Sequence, residues 1–190
     1  MMGFCGLIGL GNGIIFSYYA EAPFYMIKML GLTPSQYGLT FILIALAAAV
    51  AGLIGRHMFK TFSGEEIIKR GLTLILLGTL IFGGAILTLG KAKGLILFTT
   101  LGAMLIVIMG INLTILSSLS MALGNYQAVV GTASALFGFM YYVIISGTTF
   151  LMGLLHNDTL LPMPLFFLAV AVTMSGVYFT LIRQRAHVTV

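Results

Sequence analysis

Residues 95–119 read LILFTTLGAMLIVIMGINLTILSSL and contain no Asp, Glu, Lys or Arg. About 20 consecutive apolar residues are enough for a helix to cross the hydrocarbon layer of a membrane, so this stretch predicts a membrane-spanning helix. The rest of the 190-residue chain has the same character, because 60% of its residues are hydrophobic and 7% are charged. Soluble domains carry about 25% charged residues. The sequence therefore predicts an integral membrane protein embedded in a lipid bilayer.

Five further apolar runs are separated by short segments that contain Gly, Pro or charged residues. The six predicted spans are residues 4–27, 37–55, 71–89, 95–119, 132–155 and 165–182. Backbone groups in hydrocarbon need partners within their own segment, and the runs lack the alternation of a barrel strand. We therefore expect an all-α integral membrane protein with six transmembrane helices, folded as one domain over residues 1–190.

The positive charges follow the pattern of topology signals. On one predicted side of the membrane lie Arg56, Lys60, Lys69, Arg70, Arg183 and Arg185, and on the other lie Lys28, Lys91 and Lys93. Because Lys and Arg are enriched in cytoplasmic loops, this bias predicts that both termini are cytoplasmic. The net charge of +5 is accounted for in this way, and we expect no nucleic-acid partner.

Small residues recur on several spans and allow close approach of neighbouring helices. The predicted packing residues of the fifth span are Gly131, Ser134, Ala135 and Gly138, and those of the third span are Gly71, Gly78, Gly83 and Gly84. These residues indicate a packed bundle and point to no particular chemistry.

Six helices in 190 residues also fit one half of a transporter built from two six-helix repeats, each made of two inverted three-helix units. Spans one to three and four to six would be the inverted units. Each unit begins with a helix that carries an amide, Asn12 in GLGNG and Asn112 in MGINLT.

Three segments resemble a known family. The first, GIIFSYYAEAPFYMIKMLGLTPSQYGLTFIL, resembles the seventh helix and following loop of Bcr/CflA-type drug efflux proteins of the major facilitator superfamily. Another, VVGTASALFGFMYY, is similar to the run that opens their eleventh helix. A third, GLIGRHMFKTFSGEEIIKRG, resembles a Gly- and Arg-rich cytoplasmic loop between their eighth and ninth helices. The matching positions of the first segment are Ala22, Pro23, Phe24, Gly31, Thr33, Pro34, Tyr37 and Gly38.

The resemblance implies helices seven to twelve of a proton-coupled multidrug antiporter in the inner (plasma) membrane. Such a half would exchange protons for a hydrophobic or cationic drug, and it would need a second six-helix half or a second copy of itself as a homodimer. An inactive transporter fragment is the alternative within that family. A six-helix assembly or regulatory protein without transport of its own is the alternative outside it.

Glu21 is the one carboxylate within the aromatic stretch FSYYAEAPFYM, residues 16–26. An ionisable group inside a membrane helix is by default a functional-site hypothesis, and we expect Glu21 to load and release a proton. The family commonly has a small residue here, so this expectation rests on physics alone. The structural alternative is a carboxyl that reaches the interface, or one that stays protonated against Tyr18 or a backbone carbonyl freed by Pro23.

Five other polar residues complete the predicted substrate or proton pathway: Asn12, Ser17, Tyr18, Tyr19 and Asn112. The amides could contact substrate or, alternatively, join neighbouring helices. The tyrosines could form an aromatic wall for a planar cation or belong to the interfacial aromatic belt.

The signals for catalysis are weak. The sequence EEIIKR, residues 65–70, matches the signature of intramembrane CAAX-processing proteases, yet no histidine is placed to join a glutamate pair at membrane depth. The plainer interpretation is the solvent-exposed N-terminus of a helix, where carboxylates interact favourably with the helix dipole. The three histidines are scattered and no phosphate-binding Gly-rich loop occurs. We therefore expect no enzyme, no metal and no cofactor.

Overall fold

The computed structural model describes residues 2–89, 92–157 and 159–183, and these ranges contain helices and connections without any strand. The six helices are α1 (Met2–Pro23), α2 (Pro34–Met58), α3 (Gly64–Leu89), α4 (Lys93–Leu123), α5 (Val130–Leu154) and α6 (Pro162–Val177). Wider π-type turns continue α1 over Phe24–Met29 and α6 over Tyr178–Arg183.

All six helices, with α1 and α6 taken together with their π-type continuations, are long and apolar enough to cross a membrane. The chain is therefore a multi-pass, all-α membrane protein, as the sequence predicts. Each helix overlaps one predicted span, and α3 begins seven residues earlier than its span because the charged segment after Gly64 is already helical. The segment between α4 and α5, predicted as a loop, forms tight 3₁₀ turns over Gly124–Val129.

Two helix starts are capped by their own side chains. At α2, the Thr33 hydroxyl accepts a hydrogen bond from the Gln36 N–H (3.2 Å), and the Gln36 side chain accepts one from the Thr33 N–H (2.9 Å). At α3, Ser63 and Glu66 make the same reciprocal pair, at 3.3 and 3.0 Å. Such capping boxes satisfy backbone donors that the first helical turn leaves without partners.

The end of α1 departs from a regular helix. The π-type turns begin directly after Pro23, which has no N–H to donate to the preceding turn. The chain then leaves the helix through Gly31, whose φ is +83°, a conformation that glycine adopts without steric cost. These turns set the direction in which the last residues of α1 point.

Helices α3 and α4 form the closest contact in the bundle. A Cβ atom at Gly110 would lie 2.6 Å from the carbonyl oxygen of Gly71, and one at Gly78 would lie 2.6 Å from Val107. The two backbones therefore touch directly, which small residues permit. No atom of a neighbouring helix lies within 4 Å of a Cβ built at Gly83 or Gly84, so those two predicted packing glycines make no such contact in the described chain.

The main helix contacts show an approximate internal symmetry between α1–α3 and α4–α6. Helix α1 packs on α5 as α4 packs on α2, and α3 packs on α4 as α6 packs on α1. The other extensive contacts join α1 with α4 and α3 with α6, and α5 makes smaller contacts with α4 and α6. If α1 is exchanged with α4, α2 with α5 and α3 with α6, each of the main pairs becomes a pair of the same set. Residues 11–20 and 111–120 also have the same order of buried, half-buried and exposed positions. In this correspondence Asn12 matches Asn112 and Ser17 matches Ser117.

The six helices differ in how much of their surface the bundle covers. Helix α1 is the most buried, whereas α2 and α5 are the least buried. Large apolar side chains stay exposed along both, among them Leu46 and Leu53 on α2 and Phe139 and Phe150 on α5. These surfaces face either lipid or another protein segment.

Candidate functional site

A cavity of about 430 Å³ lies between α1, α2 and α4, and we call it the α1–α2–α4 cavity. Its size falls within the range of about 300–1,000 Å³ that is typical of small-molecule sites. It brings together Tyr19 of α1 and Asn112 of α4, two of the predicted pathway residues. The residues lining it are Ile15, Tyr19, Phe41, Ile44, Ala45, Ala48, Ile108 and Asn112.

Aromatic rings form one wall of this cavity. The ring centroids of Tyr19 and Phe41 are 5.5 Å apart, and Tyr37 packs edge-on against Phe41 at 5.1 Å. Ring pairs at these separations stabilise each other, so Phe41 holds the Tyr19 ring at the cavity. Sequence reasoning identified Tyr19 but missed Phe41, whose spacing from Tyr37 on the same helix face was a usable signal.

Asn112 supplies the polar group of the cavity. Its amide nitrogen donates to the Ile108 carbonyl at 2.8 Å, and its amide oxygen has no partner among the residues that the structure describes. That oxygen can therefore accept a hydrogen bond from a ligand. Asn12 donates in the same way to the Ile8 carbonyl at 3.1 Å, but it does not line the cavity.

Ser17 and Tyr18 lie inside the helix packing, away from the cavity. Both side chains are fully buried. The Tyr18 hydroxyl donates to the Met26 sulfur at 3.8 Å, and the Ser17 hydroxyl has no hydrogen-bond partner in the described chain. Both residues remain predictions as pathway residues, because a route to them would require the surrounding helices to move.

Glu21 occupies a different place, between the end of α1 and the segment after α5. Its carboxylate lies 2.9 Å from the Nδ1 atom of His156, and the ring of Phe24 lies 5.0 Å from the imidazole. The Glu21 side chain is 12% exposed and that of His156 is 32% exposed. A small cavity of about 10 Å³ adjoins the pair, with Met152 and Met163 in its wall. We call this pair the Glu21–His156 site.

This site pairs a carboxylate with an imidazole. Imidazole is the side chain whose charge normally changes between pH 5 and 8, and a neighbouring carboxylate favours its charged form. The partners considered for Glu21 from the sequence did not include His156. The usable signal was topological, because α1 and α5 run in the same direction and their ends therefore lie on the same side of the membrane.

The other sequence features of possible chemical interest have structural roles here. Glu66 of the EEIIKR segment caps α3 through Ser63. Over residues 2–89, 92–157 and 159–183, no three His, Cys, Asp or Glu side chains come together as a metal site would require.

The predicted packing residues of α5 lie on an open side of that helix. A Cβ added at Gly131 would have no atom of another helix within 4 Å in the described chain, and one added at Gly138 would approach only Tyr141 of its own helix. Ser134 and Gly138 are half-buried and Ala135 is exposed. Their role in close packing stays a prediction, and it requires a segment outside this bundle.

Comparison with known proteins adds a relationship over the whole chain. A protein of Rickettsia bellii named "uncharacterized transporter" is 32% identical over an alignment of 189 residues that covers 96% of this chain and 47% of that protein. A protein of the same name from Rickettsia felis is 32% identical over 159 residues, 81% of this chain and 39% of that protein. The chain thus spans about half the length, or less, of these curated relatives. No family model matches it.

Proposed function

We propose that this chain forms one six-helix half of a membrane transporter for small molecules. The observation that carries the proposal is the alignment of nearly the entire bundle with about half of a relative named as a transporter. A bundle of six spanning helices is the repeating unit of transporters built from two such halves.

The internal pattern of contacts supports the same proposal. The exchange of α1–α3 with α4–α6 preserves the helix pairs, as expected for two three-helix units of inverted topology. The matched amides, Asn12 and Asn112, each donate to the carbonyl four residues earlier. Both features agree with the resemblance of the sequence to helices seven to twelve of a major facilitator drug exporter.

A second half would cover the two least buried helices. The open side of α5 with Gly131, Ser134, Ala135 and Gly138 allows close approach of another helix. The exposed apolar side chains of α2 would complete the contact. The partner is a second six-helix segment, with a homodimer of this chain as the alternative.

The lining of the α1–α2–α4 cavity favours a hydrophobic or cationic substrate. Its wall consists of aliphatic and aromatic side chains with one amide and no ionisable carboxylate, amine or guanidinium. An aromatic face attracts a cation, and the Asn112 oxygen accepts one hydrogen bond. A larger groove of about 540 Å³ beside α2 and α4 is lined by aliphatic side chains together with Gln36 and Thr40, and it contains no aromatic ring.

Proton coupling is assigned to the Glu21–His156 site in this proposal. Tyr19 and Glu21 are two residues apart on α1, about 200° around the helix axis at roughly 100° per residue. The substrate cavity and the proton site therefore lie on opposite sides of one helix. A change in protonation at Glu21 could reach the cavity through a shift or rotation of the end of α1.

The test is efflux of a fluorescent planar cation, ethidium, from cells that express this chain alone or with the unmatched part of the Rickettsia bellii relative. We expect efflux only from the pair of segments, and a loss of at least about fivefold in Asn112→Ala, since a buried polar contact contributes about 1–3 kcal/mol.

Glu21→Gln tests the coupling in the same cells. It should abolish the dependence of efflux on the proton gradient, whereas Glu65→Gln, at the opposite end of the molecule, should leave it intact. Stable insertion of both segments without efflux, across a panel of apolar and cationic dyes, would contradict the proposed function.

A further inference from the structure

A second open groove lies at the end of the bundle that carries the α2–α3 connection. It measures about 440 Å³, lies between α2, α3 and α4, and we call it the α2–α3–α4 groove. Its wall is apolar apart from the guanidinium of Arg70 and the hydroxyl of Thr73, which donates to the Lys69 carbonyl at 2.9 Å. The side chains that matter here are Ile54, Met58, Arg70, Leu74, Met109 and Leu113.

Arg70 is held in place without being neutralised. Its guanidinium carbon lies 3.6 Å from the centroid of the Phe62 ring, a stacking contact that leaves the N–H groups at the edge of the guanidinium available. Glu66, four residues earlier on α3, is in the position that normally pairs with an arginine. The Glu66 carboxylate instead accepts from the Ser63 N–H at 3.0 Å.

The α2–α3 connection, taken here together with the adjoining helix turns as residues 56–70, is also positively charged. Arg56, Lys60 and Lys69 are exposed, and in the described chain none of them forms an ion pair with a carboxylate. The only acidic residues of the connection are Glu65 and Glu66. The α2–α3–α4 groove therefore combines apolar side chains with the Arg70 guanidinium, which has no carboxylate partner among the described residues. Further positively charged side chains surround it.

We propose that the α2–α3–α4 groove binds one molecule of an anionic phospholipid. The Arg70 guanidinium donates two hydrogen bonds to the lipid phosphate, a geometry that its planar fork matches. One acyl chain lies in the groove against Met58, Leu74 and Met109, where the flexible thioethers adapt to its shape. This inference does not depend on transport.

The predicted topology agrees with this occupant. The α2–α3 connection carries four of the cations that assign this side to the cytoplasm, and the cytoplasmic leaflet of membranes is rich in anionic lipids. A free phosphate ion would pair with the Arg70 guanidinium but would leave the apolar part of the groove unfilled. Phosphatidylcholine would fill the groove, but its choline would be repelled by the surrounding cations.

The test is native mass spectrometry of the purified chain with phosphatidylglycerol, phosphatidylcholine or soluble glycerol phosphate at equal concentration. We expect one phosphatidylglycerol to stay bound, about tenfold more tightly than phosphatidylcholine, because Arg70 and the cations around it repel the choline group next to the phosphate. Glycerol phosphate should neither bind nor compete.

Two variants and a control examine the two parts of the site. Arg70→Gln should lower the affinity for phosphatidylglycerol about tenfold and remove the preference for it over phosphatidylcholine. Leu74→Trp, which fills the groove, should lower the affinity for both lipids. Arg56→Gln removes an exposed charge that does not line the groove, and it should have little effect.

Thermal unfolding in phosphatidylcholine checks that the variants are folded. Equal affinity for the two lipids, or an equal loss in Arg56→Gln and Arg70→Gln, would show only a diffuse basic surface and would overturn the proposal. Binding of glycerol phosphate at the same site would also overturn it, because the acyl chain would then be unnecessary.

Discussion

Glu21 shows how one side chain acquires a partner that its neighbours in sequence do not reveal. It stands in an apolar stretch at the end of α1, and its partner His156 comes 135 residues later. Because both side chains keep some contact with solvent, 12% and 32% exposed, their interaction is weakened by water. The pair therefore joins two helix ends without locking them together.

This pairing predicts a measurable coupling between the two side chains. Glu21→Leu, His156→Leu and the double variant form a double-mutant cycle, and thermal unfolding should give a coupling of about 1 kcal/mol, as for other solvent-accessible charged pairs. The coupling should weaken when high salt screens the charges. Fully additive effects of the two substitutions would contradict the contact.

Gly31 predicts a backbone effect at the same end of α1. Gly31→Ala should lower the free energy of unfolding by about 1–2 kcal/mol, because an L-residue is strained at φ = +83°. Space is not the cause, since no described atom lies within 4 Å of the added Cβ. Gly38→Ala is the matched control: it lies within α2 and is equally uncrowded, so it should be neutral or stabilising.

At the scale of elements, the contact between α3 and α4 depends on the absence of side chains. The Cβ added by Gly110→Ala would meet the backbone of Gly71 and the side chain and backbone of Ile75 within 3.0 Å. Backbone atoms cannot move aside as a flexible side chain can, so the two helices must separate. Overpacking of this kind costs about 1–3 kcal/mol.

We therefore expect Gly110→Ala to lower the unfolding temperature of the purified protein. Gly102→Ala is the control on the same helix, because its added Cβ meets no described neighbour within 4 Å. Its helix propensity is the only property that changes, and it should raise stability slightly. Equal effects of the two substitutions would show that the helices do not pack at Gly110.

At the scale of the whole molecule, the open side of α5 predicts where a second half binds. Ala135→Cys in a Cys5→Ser background introduces one exposed thiol. Co-expression with the unmatched part of the Rickettsia bellii relative should protect this thiol from a maleimide several-fold. Phe98→Cys on α4, a position that is 74% exposed, should react equally with and without the partner. Equal labelling at both positions would contradict the proposed interface.

The sequence by itself determined the membrane class and the six helices. Hydropathy and the need to satisfy backbone groups in hydrocarbon act locally along each run, so they can be read without knowledge of packing. The capping segments at Thr33 and Ser63 are equally local. Asn112 and Tyr19 could be proposed as pathway residues for the same reason, since polar or aromatic groups stand out within an apolar helix.

Only the tertiary structure decided which of these residues meet. It placed Tyr19 and Asn112 on the wall of one cavity, gave Glu21 the distant partner His156, and buried Ser17 and Tyr18 within the bundle. In the described chain, neighbouring helices approach closely at Gly71 and Gly78 and do not do so at Gly83 and Gly84. The physical reason is that contacts between helices depend on how each helix is rotated about its axis. That rotation is set by the packing of all six helices together, and after Pro23 also by π-type turns that hydropathy does not encode.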